Sequence, residues 1–121
     1  KDTTPRLFIA GGIGITPFRA MIRYVADRQL NLPVTLLYSG KNTDEMAFVG
    51  ELQTANCKLQ IIETEKEGRV DEAKIKKYCP DYLERTWWVC GPPAMVEAMV
   101  ELGQKMGVSA DKLRSEEFTG Y

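Results

Sequence analysis

The chain has 121 residues, 44% hydrophobic and 27% charged, the composition of one ordinary globular domain with a core of its own. Its 16 basic and 17 acidic residues leave a formal charge of −1, which gives no electrostatic reason to expect nucleic acid or an anionic membrane as a partner. Histidine is absent, which excludes imidazole bases, triads and most zinc sites, and the three cysteines (Cys57, Cys79 and Cys90) have no C-x-x-C spacing, which argues against a metal centre made by this chain alone.

The first predicted strand runs from Arg6 to Ala10 and exits into G-G-x-G-x-T-P, Gly11 to Pro17. Gly11, Gly12 and Gly14 give the backbone freedom there, Thr16 is a candidate N-cap, and Pro17 fits the first helical position. Phe18, Met21, Ile22 and Val25 then keep the spacing of one buried helix face. Pro33 opens a second strand, Val34 to Ser39, followed by Lys41. Asn42 and Thr43 are candidate caps for a short helix carrying Phe48, Val49 and Leu52.

Lys58 to Thr64 reads as a third strand. Asp71 can cap the helix E-A-K-I-K-K-Y, with Val70 and Ile75 at the two positions of a hydrophobic staple. Thr86 to Gly91 is a fourth strand, in which Trp87 and Trp88 face opposite sides and both read as core, and it leads into C-G-P-P, Cys90 to Pro93. Met95, Ala98, Met99 and Leu102 mark the last helix, with Gly107 placed to end it. Lys112 to Phe118 is a fifth strand, and the chain closes on S-E-E-F-T-G-Y.

This alternation predicts a single α/β domain over residues 1–121: a three-layer, doubly wound sheet of about five parallel strands with helices on both faces. Ligands of such sheets lie beyond the carboxyl ends of the strands, where strand order reverses, so the residues just after each strand are the candidates. No apolar run is long enough to span a membrane, and unpaired cysteines suit a reducing, cytoplasmic setting.

The glycine turn makes an anion site possible, although a helix terminus contributes only about 0.3–2 kcal/mol against the roughly 8 kcal/mol of micromolar binding. Other loops must share the ligand. Ser39 and Lys41 offer a hydroxyl and a cation where an adenosine ribose would lie, and the first acids, Asp44 and Glu45, fall in the next helix's first turn. Lys41 on a 2′-phosphate would favour NADPH over NADH; the alternative is a solvated surface lysine. Cys90, taken alone, reads first as a small buried apolar residue.

Taken together and in order, G-G-x-G-x-T-P, Y-S-x-K at Tyr38 to Lys41, C-G-P-P and the terminal E-x-F resemble the pyridine-nucleotide-binding domain of the ferredoxin–NADP reductase superfamily, over essentially the whole chain. The resemblance implies that Gly11, Gly12, Gly14, Thr16 and Pro17 hold the pyrophosphate and nicotinamide side of NADPH or NADH. It implies that Ser39 and Lys41 contact the adenosine. Cys90, with Gly91 and Pro92, would lie against the nicotinamide, and Glu116 and Phe118 at the flavin edge.

Cys90 and Glu116 are then the expected catalytic residues, with no metal. The flavin, FAD rather than FMN, would be held by a separate flavin-binding domain or subunit, whose barrel and R-x-Y-S motif this chain does not contain. The chain by itself is therefore expected to be the nucleotide-binding half of an NAD(P)H oxidoreductase, inactive or incomplete alone, passing electrons to a partner its sequence does not identify. A departure from the family pattern is that Thr119, Gly120 and Tyr121 follow Phe118. The rival reading is a non-catalytic nucleotide-binding or docking module. A flavodoxin-like fold is disfavoured because Gly11 to Ile15 lacks a Ser/Thr-rich phosphate loop.

Overall fold

Three short apolar runs and two mixed ones form the five strands of one parallel sheet in the computed structural model, which describes residues 4–53, 55 and 57–117. They are β1 (Arg6–Gly11), β2 (Val34–Gly40), β3 (Lys58–Glu63), β4 (Thr86–Gly91) and β5 (Leu113–Glu117). Their order is β3-β2-β1-β4-β5, so the winding direction reverses between β1 and β4. The three inner strands, β2, β1 and β4, are largely buried on two faces, which is why they read as mostly apolar runs.

Period-two alternation sends neighbouring side chains into separate cores. Leu7, Ile9, Leu37, Ile62, Trp87 and Val89 face one side, where Ile75, Val96 and Met99 come down from α4 (Glu72–Tyr78) and α5 (Pro93–Lys105). Phe8, Ala10, Leu36, Tyr38 and Cys90 face the other, against Ile15, Phe18 and Ile22 of α1 (Ile15–Asp27) and Leu52 of α2 (Val49–Gln53). On that side Phe8 and Phe18 stack with ring centroids 4.4 Å apart. Burying each such side chain is worth roughly 1.5–3 kcal/mol.

Local capping follows the sequence closely in two places. Asp71 accepts a hydrogen bond from the Lys74 N–H at 2.9 Å while Val70 and Ile75 are both buried beside it. At the far end of α5, Gly107 has φ +93, its N–H donates to the Gln104 carbonyl, and the Val108 N–H donates to the Gly103 carbonyl. Those paired bonds are a Schellman stop.

Four local expectations are corrected. Thr16 is not the N-cap of α1: a 3-10 turn at Gly12–Gly14 runs directly into the helix, so Gly14 takes the cap position and Thr16 and Pro17 lie inside the first turn. Proline is tolerated there because the first N–H groups of a helix lack partners anyway. Phe48 lies outside α2 with φ +64, and Asn42 caps the preceding 3-10 turn, Thr43–Glu45, in place of α2. A one-turn α3 (Thr64–Glu67) follows β3 directly. Trp87 is fully buried, but Trp88 is only partly so: its register partner on edge strand β5 is the exposed Arg114, whose guanidinium lies 5.4 Å from the indole ring.

Candidate nucleotide cleft at the strand ends

The reversal between β1 and β4 leaves two strand ends side by side with their following turns diverging. Gly14 is where they meet most closely. A Cβ there would fall on the Cys90 carbonyl and within 2.8 Å of the Gly91 nitrogen, so only glycine lets the first turn lie on the end of β4. Met95 then covers both strand ends: a Cβ at Gly91 would be 2.7 Å from its Sδ, and one at Gly11 would overlap the same sulfur. Gly11 and Gly91 are buried by that packing, and neither lines the cleft.

The cleft itself opens toward β2. It has a volume of about 380 Å³ and is walled by Gly12 and Ile13 from the first turn, by Tyr38 to Lys41 from the end of β2, by Glu45 to Ala47, and by Pro92 from the β4 exit. Gly12 adopts φ +56, a conformation that costs a side chain but not glycine. Ile13 is half exposed on the rim. Buried Tyr38 donates its hydroxyl to the Ala47 carbonyl at 3.0 Å, tying the loop after β2 back onto the sheet. Burial raises the pKa of this phenol.

Of the residues singled out from sequence, the cleft therefore brings together Gly12, Ser39, Lys41 and Pro92. Gly14 builds its wall from behind. Thr16 is exposed and Pro17 partly exposed at the start of α1, outside the lining. Phe118 lies outside the described residues. Cys90 is 3% exposed, in the core face with Ala10 and Phe18, and its register partner on β5 is the exposed Glu116. Burial first, and then the Glu116 carboxylate, push the Cys90 thiol up to about 11, so it stays protonated at neutral pH. It is a small apolar group there, not a thiolate nucleophile.

Sequence reasoning missed Tyr38, Met46 and Met95 as walls of this region. Met46 packs over Gly40, as Met95 does over Gly11 and Gly91. The signal for the two methionines was their place a few residues beyond Gly40 and Gly91, and that for Tyr38 was its place in Y-S-x-K.

A second, larger groove of about 1000 Å³ lies at the opposite edge, against Pro5, Arg6 and Pro33 at the strand starts, and is lined mostly by apolar side chains including Phe8, Met21, Tyr24 and Trp88. The Trp88 Nε1 is buried without an acceptor among the described residues. No predicted site residue lies there. Among the described residues no group of three His, Cys, Asp or Glu side chains could hold a metal ion, and no helix is long and apolar enough to cross a membrane.

The family model described as the oxidoreductase NAD-binding domain matches residues 8–101. An NADPH oxidoreductase of Mycobacterium tuberculosis is 32% identical over 117 residues, covering 93% of this chain and 30% of that protein. A glycine betaine monooxygenase reductase subunit of Pseudomonas aeruginosa is 29% identical over 128 residues, covering 93% of this chain and 34% of the relative. The chain thus spans about a third of the curated relatives it matches.

Among solved structures, the flavohem-like FAD/NAD-binding domain of nitric oxide dioxygenase from Vibrio cholerae superposes with a TM-score of 0.81 at 22% identity, over 98% of this chain and 52% of that one. Ferredoxin-NADP+ reductase from Plasmodium falciparum gives 0.76 at 15% identity, over 96% and 52%. These likenesses show a shared fold.

Proposed function

This chain belongs to the family of oxidoreductase NAD-binding domains, and from that membership we propose that it binds NAD(P)H in the cleft at the β1, β2 and β4 ends and presents the nicotinamide to a flavin carried by another domain or subunit. The observation that carries the reading is the convergence in one cleft of three separate strand ends, each supplying a residue suited to part of a dinucleotide.

The residues present fit such a ligand. A volume of about 380 Å³ is within the range of small-molecule sites. Gly12 brings backbone to the ligand without a side chain, suited to the pyrophosphate, with the α1 N-terminus immediately behind it. Ser39 and Lys41 suit the adenosine ribose and its 2′ substituent. A charge-assisted bond from Lys41 to a 2′-phosphate, worth roughly 1.5–3 kcal/mol, would by itself contribute about ten- to a hundredfold toward NADPH, the proposed preferred form.

When bound, the dinucleotide supplies a hydride and the flavin accepts it. This chain's part is positioning. Pro92 and the Gly14 contact fix the end of β4, so Cys90 is presented as a neutral, small side chain beneath the place of the nicotinamide. Glu116, exposed one strand over, is at hand for the flavin edge. Thr16 and Pro17, at the start of α1, flank the same rim. FAD, not FMN, is the proposed flavin, and the electron acceptor is read by parts of the reductase beyond this domain.

The test is titration calorimetry of the chain with NADPH and NADH. Saturable binding supports the proposal. A properly folded chain with affinity for neither dinucleotide overturns it and favours a docking module.

A further inference from the structure

One wall of the cleft is the segment of residues 41–48 between β2 and α2, and it is held at both ends. Near its start the Thr43 N–H donates to Glu63 Oε2 at 2.7 Å and the Glu65 N–H donates to the Lys41 carbonyl at 3.2 Å, which tie it to the end of β3 and to α3. Its far end carries two holds on successive residues. The Ala47 carbonyl accepts the hydroxyl of Tyr38, itself 1% exposed, at 3.0 Å. Phe48 stands in left-handed backbone, φ +64, beneath the Arg19 guanidinium, whose Nε also donates to Glu51 Oε2 at 2.9 Å. An aromatic residue in that conformation is strained and persists only where its surroundings over-determine it. Arg19 grips Phe48 at the part-exposed surface, and Tyr38 grips Ala47 from the buried floor.

We infer that Tyr38 is a positioning residue for the dinucleotide, its hydroxyl latching the Ala47 carbonyl so that residues 41–48 stand as a fixed wall before the ligand arrives. This deepens the dinucleotide reading and rests on it. Tyr38 lies at the end of β2 and Ala47 just ahead of α2, so their bond closes the segment onto the sheet at the cleft. Without it the far end of the wall is held through strained Phe48 and its surface clasp alone, and the relaxed backbone of Phe48 lies away from that position. A ligand would then order the wall as it binds, and affinity falls by the fraction of time the wall is out of place. A net hydrogen bond of ordinary strength corresponds to about three- to tenfold. The latch acts on the wall and not on one ligand group, so NADPH and NADH lose by the same factor.

The experiment compares the full chain with Tyr38→Phe by calorimetry against NADPH and NADH, and by amide hydrogen exchange with and without saturating NADPH. Phenylalanine keeps the buried ring and removes only the hydroxyl, and urea unfolding checks that the variant is folded. Both dinucleotides are expected to bind about three- to tenfold more weakly, by factors agreeing within about twofold. Exchange at the Glu45 and Met46 amides, which donate to the Asn42 and Thr43 carbonyls, is expected to quicken about tenfold in the free variant and to return toward the wild-type rate when NADPH saturates. A loss of general stability would instead quicken exchange along β1 and β2, and the ligand would not restore the loop selectively. If wild type binds and the variant matches it within twofold, if only one dinucleotide is weakened, or if the loop amides keep their wild-type rates, the role of Tyr38 is overturned and the dinucleotide site stands. If the folded wild-type chain binds neither dinucleotide, the site itself falls, and the positioning role with it.

Discussion

Gly14 rests directly on the carbonyl of Cys90, with no room for a side chain between the first turn and the end of β4. That contact joins the two motifs, 76 residues apart in sequence, that the strand reversal brings to one edge. It fixes the depth of the cleft, because the rim residue Ile13 and the exit residue Pro92 are both set by it.

Gly14→Ala tests that joint. Gly14 has an ordinary helical φ of −60, so alanine brings no backbone strain and the effect is one of crowding alone. Overpacking against backbone that cannot swing aside costs roughly 1–3 kcal/mol. Urea denaturation is expected to show a loss in that range, with weakened NADPH binding; a variant as stable as wild type would mean the two turns are not rigidly packed.

Cys90→Ala is expected to slow flavin reduction by NADPH in the complete reductase about tenfold or more, with dinucleotide affinity changed less than about threefold, since tenfold corresponds to only about 1.4 kcal/mol of positioning. Stopped-flow absorbance of the flavin reads the rate. An unchanged rate removes Cys90 from the hydride-transfer site.

Lys41→Ala is expected to weaken NADPH binding about ten- to a hundredfold and to leave NADH within about threefold, the NADPH loss shrinking at high salt as exposed charges are screened. Equal losses for both dinucleotides would place Lys41 on the shared pyrophosphate instead.

Cys79 gives a pH prediction independent of function. It is 1% exposed; burial above all, opposed by Arg85 and reinforced by Asp81, raises its thiol to about 11. Below pH 9 the thiol is protonated folded or unfolded and stability does not depend on it. Between pH 9 and 11 the unfolded chain loses the proton first, so stability falls, by about 1.4 kcal/mol per pH unit at most. Cys79→Ala is expected to flatten that part of the alkaline limb in urea midpoints measured from pH 8 to 11; an identical limb would show that other groups carry it.

The layers of this fold were legible from sequence because their signals are local. Val70, Asp71 and Ile75 announce a capped, stapled helix within six residues, and Gly107 announces a stop. Phe48 misled because its spacing to Val49 and Leu52 is helical while its backbone is left-handed. The arrangement that holds it is tertiary, with the Arg19 guanidinium 4.5 Å over its ring. In the cleft, Gly12, Ser39, Lys41 and Pro92 could be named because each lies at or just after the end of a strand. Met46 and Met95 could not be placed, because a methionine lid over a glycine is set by packing and not by a local sequence pattern.

The central claim, that one dinucleotide is gripped by three strand ends together, is tested most directly by amide chemical-shift mapping of the isotopically labelled chain titrated with NADPH. The account predicts saturable shifts at Gly12 and Ile13, at Ser39 to Lys41, and at Gly91, all with one dissociation constant. Shifts confined to the opposite edge, at Arg6, Tyr24 and Trp88, or no shifts at millimolar NADPH, would contradict it.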